Sequence, residues 1–170
     1  MKELETDIYH YTSAEQLLEI FKNGFIKTTD SVFTTKSEIF GSGFIEKGGE
    51  VKASWGFKPV VWLTQLTFFA TPPMLESAYD KTEVRILIKQ TPEYIQAGKW
   101  LRENGATNED VEVMERIAGS PLFTDLLYGC STWYVLEREI PVNEFIRIEY
   151  VKINPEDIST RYWQELDMKK

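Results

Sequence analysis

The cleanest alternation of apolar and polar positions lies in residues 82–89 (TEVRILIK), where Val84, Ile86 and Ile88 fall on one side and Arg85, Leu87 and Lys89 on the other. A period of two predicts a strand. Residues 60–64 (VVWLT) form an unbroken, β-branched run of strand length, as expected of a strand covered on both faces. Residues 7–11 (DIYHY) are short, aromatic and β-prone, and Thr12-Ser13-Ala14-Glu15 follows at once as a Thr-x-x-Glu capping box. Over residues 13–23 the spacing of Ala14, Leu17, Leu18 and Phe21 predicts one apolar helical face, with Gly24 as the stop. A short strand is expected at 25–28, and further strands at 131–139 and 143–152, turned at Ile140-Pro141. Thr91-Pro92 predicts a helix running to Asn104-Gly105, and another is expected over 108–118. Asn154-Pro155-Glu156 predicts the opening of a last helix carrying Tyr162 and Trp163. Residues 30–59, rich in Gly, Ser, Thr and Lys, predict loops over a site.

Helices that interrupt strands without a regular β-α-β alternation predict an α+β fold, with a mostly antiparallel or mixed sheet flanked by helices. At 170 residues, with neither a repeat nor a linker, the chain is expected to form a single domain over 1–170. Its 27 acidic and 19 basic side chains give a net charge of −8. Such a field repels a phosphate backbone, and bulk nucleic acid is disfavoured as a partner. With one histidine, His10, and one cysteine, Cys130, neither a disulfide nor a Cys/His metal site can be assembled. No metal is therefore expected. A polar, acidic opening and the lack of a membrane-length apolar run predict a cytoplasmic protein with no membrane partner.

The most suggestive chemistry is His10-Tyr11-Thr12. A histidine at a strand end with a hydroxyl two residues later places both on one side, and the turn into a helix aims backbone polar groups at a cleft. That arrangement suits an anchor for a planar amide and a ribose. Helix capping by Thr12 and a structural role for His10 explain the same residues without a ligand.

The segment IYHYTSAEQLLEIFKNGFI resembles the opening strand and helix of the histidine-type ADP-ribosyltransferase superfamily, which includes diphtheria-type toxins, poly(ADP-ribose) polymerases, RNA 2′-phosphotransferases and the transferase toxins of toxin–antitoxin pairs. The resemblance implies a split-sheet fold of that type. It also implies NAD+ as a substrate and no metal, with ADP-ribose passing to an acceptor that the sequence does not identify. By the same resemblance His10 and Thr12 would hold the nicotinamide-side ribose, the backbone of Tyr11 would clamp the amide, and Trp62 would stack on the ring. Arg85 would meet a phosphate or a carboxylate. The family's catalytic glutamate stands near the start of a late strand, where this chain has Ser131-Thr132-Trp133 and no carboxylate. Glu137 and Glu139, farther along the same predicted strand, are the candidates, although Glu-Arg-Glu before Ile-Pro is also what an exposed strand end looks like. Two other functions fit the sequence. One is a catalytically silent binder of an ADP-ribose-containing ligand or a partner protein. The other is an acidic inhibitory mimic of phage or mobile-element type.

Overall fold

A computed structural model describes residues 7–28, 58–65, 83–105, 108 and 132–167. The strands in chain order are β1 (Tyr9–Thr12), β2 (Phe25–Ile26), β3 (Val61–Thr64), β4 (Val84–Ile88), β5 (Ile95–Gln96), β6 (Trp133–Leu136), β7 (Ile140–Pro141), β8 (Phe145–Asn154) and β9 (Asp157–Glu165). Helix α1 (Ala14–Asn23) follows β1, and α2 (Ala97–Glu103) follows β5. Seven strands form one sheet in the order β5-β6-β3-β1-β4-β8-β9, and β2 pairs with β7 in a second. Every pairing among the described strands is antiparallel. The fold is α+β, as expected. No described helix is long and apolar enough to cross a membrane.

The strand of strongest alternation, β4, is buried at all five positions because it lies inside the sheet with both faces covered. Val84, Ile86 and Ile88 join Ile8, Val61, Leu63, Leu136 and Ile148 in a core capped by Leu17 and Ile20 of α1. Arg85 and Leu87 face the other way, where Leu87 packs with Tyr9, Tyr11 and Trp163. The helix therefore covers one face and an aromatic layer the other.

Helix α1 departs from the expected face. Leu17 and Ile20 are its buried pair, whereas Leu18 is 69% exposed and Phe21 38%. Its cap is also displaced by one residue. Ser13, not Thr12, accepts from the backbone N–H of Gln16 at 3.1 Å, making the box Ser-x-x-Gln. Thr12 is withdrawn into β1, where it pairs with Val84. A second acceptor, Glu83 Oε2, takes the N–H of Ala14 at 2.8 Å. The expected stop holds: Gly24 sits at φ +86°, a left-handed conformation suited to glycine, and donates to Ile20 at 2.8 Å.

Two predicted helices are corrected. Residues 91–94 form a turn and Ile95 pairs with Val135 as β5, so the helix begins only at Ala97. The segment after Asn154-Pro155 is strand β9. Asn154 Oδ1 accepts from the N–H of Glu156 at 3.0 Å, folding the turn of a hairpin, and Tyr162 and Trp163 pair with Lys152 and Val151 of β8. The strand expected over 131–139 ends at Leu136, leaving Glu137 and Arg138 on a bend. The expected loops at 30–59 lie outside the described residues except for Lys58 and Pro59, as do Cys130, Ser131 and nearly all of the helix expected at 108–118.

Candidate functional site

β1 occupies the middle of the large sheet, with β4 on one side and β3 on the other. The two sides are unequal. Four register pairs join β1 to β4, while Tyr9 with Thr64 is the register pair that joins it to β3. At the following residue, His10 Nδ1 lies 3.0 Å from the carbonyl oxygen of Trp62. A carbonyl only accepts, so Nδ1 carries a hydrogen, and when the ring is neutral Nε2 is the acceptor. That is the polarity needed to receive a hydroxyl hydrogen.

The contacts continue from Trp62. Its side chain alternates away from the α1-covered core and meets the ring of Trp100 at 6.2 Å and that of Trp133 at 6.5 Å, both edge-on. Trp100, fully buried on α2, donates its indole N–H to Glu137 Oε1 at 2.8 Å. The other oxygen of Glu137 faces Lys58 Nζ at 3.6 Å. His10, Trp62 and Glu137 are thus joined in series through the Trp62 backbone and the Trp100 indole. Glu139 is exposed, and its carbonyl accepts from Arg138.

The bend that carries Glu137 is fixed by Arg138. Its guanidinium donates to Glu93 at 2.8 Å and to both carboxylate oxygens of Glu144 at 3.0 Å each. The hydrogen bond from Arg138, seconded by the Thr91 hydroxyl, holds the Glu93 carboxyl below its usual range.

Arg85 takes the carboxylate partner, Glu149, at 2.7 Å, with both side chains buried. Its guanidinium carbon lies 4.5 Å from the ring centres of Tyr9 and Trp163. Neighbouring Tyr11 is buried against Trp163. Burial pushes its hydroxyl well above the ordinary tyrosine range despite the opposing pull of Arg85. Between the unfolded value near 10 and the folded value, only the native state retains this proton. Stability is therefore fully present below about pH 10 and falls as pH rises beyond it, by roughly 1.4 kcal/mol per pH unit for this group. Urea melts above pH 10 are expected to show at least that slope, because burial raises the Tyr94 hydroxyl as well, and Tyr11→Phe is expected to remove the share of Tyr11.

Compared with protein-family models, curated proteins and solved structures, the chain matches none. What the arrangement can do rests on its own residues. Trp100, Lys58 and Arg138 are the contributors that the sequence did not mark. Trp100 is fully buried, and its N–H also orients Glu137. Among the described residues no group of three or more His, Cys, Asp or Glu is disposed to hold a metal.

Proposed function

We propose that the chain is an NAD-binding domain of ADP-ribosyltransferase type, which transfers ADP-ribose from NAD+ to an acceptor and releases nicotinamide. The observation that carries the reading is His10, held by the Trp62 carbonyl on the central strand where β1 and β3 are least paired. Its acceptor nitrogen takes a hydroxyl of the nicotinamide ribose, Thr12 lies two residues on at the end of β1, and Trp62 contributes its carbonyl to hold the imidazole while its ring packs with Trp100 and Trp133. Glu137 is the carboxylate for the positive charge that develops on the ribose carbon as nicotinamide leaves. Its hydrogen bond from the Trp100 indole orients it before the ligand arrives.

Ligand present at a hundred times its dissociation constant adds about 2.7 kcal/mol to stability, and each kcal/mol is worth roughly 2–4 °C in a domain of this size. NAD+ is therefore expected to raise the melting temperature by several degrees, and His10→Ala to remove most of that rise. No shift at millimolar NAD+ defeats the reading. A silent binder is the second reading, favoured by the absence of a carboxylate at Thr132 and Trp133, where β6 begins. Nicotinamide release separates the two. The transferase releases it and Glu137→Gln stops the release, while a binder shows the thermal shift alone.

A further inference from the structure

A dinucleotide brings two phosphate charges to a chain of net charge −8, so local cations must meet them. Among the described residues the contacts place three beside those of the proposed site. Arg85 is buried against Glu149 between two aromatic rings, and moving it to a ligand would strand a buried carboxylate. Arg138 is held by Glu93, by both oxygens of Glu144 and by the Glu139 carbonyl, and leaving them would release the bend that carries Glu137. Lys58 differs in kind. Its side chain is 68% exposed, and its ion pair with Glu137 is long, at 3.6 Å. An exposed pair of that geometry is weak and exchanges readily for a better anion.

We infer that Lys58 is the diphosphate-binding residue of this site and that it exchanges Glu137 for the ligand on binding. The inference rests on the NAD reading above and adds to it a residue and a sequence of events. Lys58 stands two residues before the bridge at Val60 that leads into β3, on the same segment as Trp62. An ammonium on a flexible stem reaches a phosphate without disturbing the strand. Its departure leaves Glu137 with the Trp100 hydrogen bond on Oε1, while Oε2 turns to the ribose. The carboxylate that stands ion-paired without ligand is thus delivered to the reacting sugar when the diphosphate is in place.

Titration calorimetry on the full chain tests this with two probes, NAD+ and nicotinamide, of which only the first carries phosphate. Lys58→Met is expected to weaken NAD+ binding on the order of fivefold to tenfold, as for a charge-assisted hydrogen bond in a partly exposed setting, and to leave nicotinamide binding unchanged. Lys58→Arg should restore most of the affinity. Raising salt from 50 to 500 mM should weaken NAD+ binding to the wild type more than to Lys58→Met, because screening acts on the charge that the variant lacks. If Lys58→Met binds NAD+ as well as the wild type, or loses both probes equally, the assignment of Lys58 is overturned while the NAD reading stands. If the wild type binds neither probe, both fall together.

Discussion

Arg85→Ala is expected to lower the unfolding free energy by about 3–5 kcal/mol, because it leaves the Glu149 carboxylate buried after removing its short 2.7 Å partner. Arg147, 3.3 Å from the other oxygen of Glu149 and more exposed, moderates the loss without replacing the lost bond. The guanidinium also fills the space between the Tyr9 and Trp163 rings, so truncation removes cation–π contacts and opens a void at once. Domains of this kind have only about 5–15 kcal/mol in total, so the variant is expected to be marginal. Removing both charges together should be far milder. Arg85→Met with Glu149→Leu is expected to lie within about 1–2 kcal/mol of the wild type, since the two buried charges leave together and Arg147, which loses its Glu149 partner, is partly exposed. Urea denaturation at pH 7 measures all three proteins. An Arg85→Ala midpoint equal to that of the wild type would show that the pair contributes nothing.

Trp100→Ala carries the other large effect. The side chain is fully buried and edge-packed on Trp62, and its loss is expected to cost about 3–5 kcal/mol from transfer and cavity together. Trp100→Phe separates packing from orientation. It keeps an aromatic body but removes the indole N–H that holds Glu137 at 2.8 Å. Because Glu137 is partly solvated, its freed oxygen finds water, and stability should fall by no more than roughly 1–2 kcal/mol. On the proposed transferase reading, turnover should suffer more than binding, since a carboxylate out of place by an ångström loses on the order of a hundredfold in rate. Nicotinamide release measured beside NAD+ affinity reads this out. Equal losses in both would count against Trp100 as the residue that orients the carboxylate.

Much of the fold is legible where one local pattern has one solution. The alternation of 82–89, the apolar run of 60–64 and Gly24 after the first helix all meet that condition, and β4, β3 and the left-handed cap follow them. The misreadings fall where a local signal serves two structures. Proline after threonine at 91–92 opens a helix or a turn, and the choice is made by Val135, more than forty residues away in the chain, which takes Ile95 as a strand partner. Asn154-Pro155 likewise opens a helix or closes a hairpin, and the aromatic residues Tyr162 and Trp163 follow β8 into the sheet. Both Thr12-x-x-Glu15 and Ser13-x-x-Gln16 are capping boxes. The second prevails because Thr12 is claimed by Val84. In the candidate site, His10 is recognisable from its own neighbours. Lys58 and Trp100 acquire meaning only through Glu137, a partner that no spacing in the sequence connects to them.

The central position of β1 also sets when the site can come into being. His10 waits for Trp62, 52 residues downstream, and for a register partner in β4 that is farther still. At ribosomal speeds of about 5–20 residues per second, the first of these partners emerges roughly 3–10 s after His10. Helix α1 has its stop at Gly24 encoded locally, but the strand before it, whose pairing also decides the helix cap, has nothing to pair with until β3 and β4 arrive. Long-range pairing of this kind slows folding, because chain entropy is surrendered before any contact repays it. A nascent chain halted before β4 would therefore carry the whole His10-Tyr11-Thr12 motif and yet lack the strand beside it that gives the motif its shape.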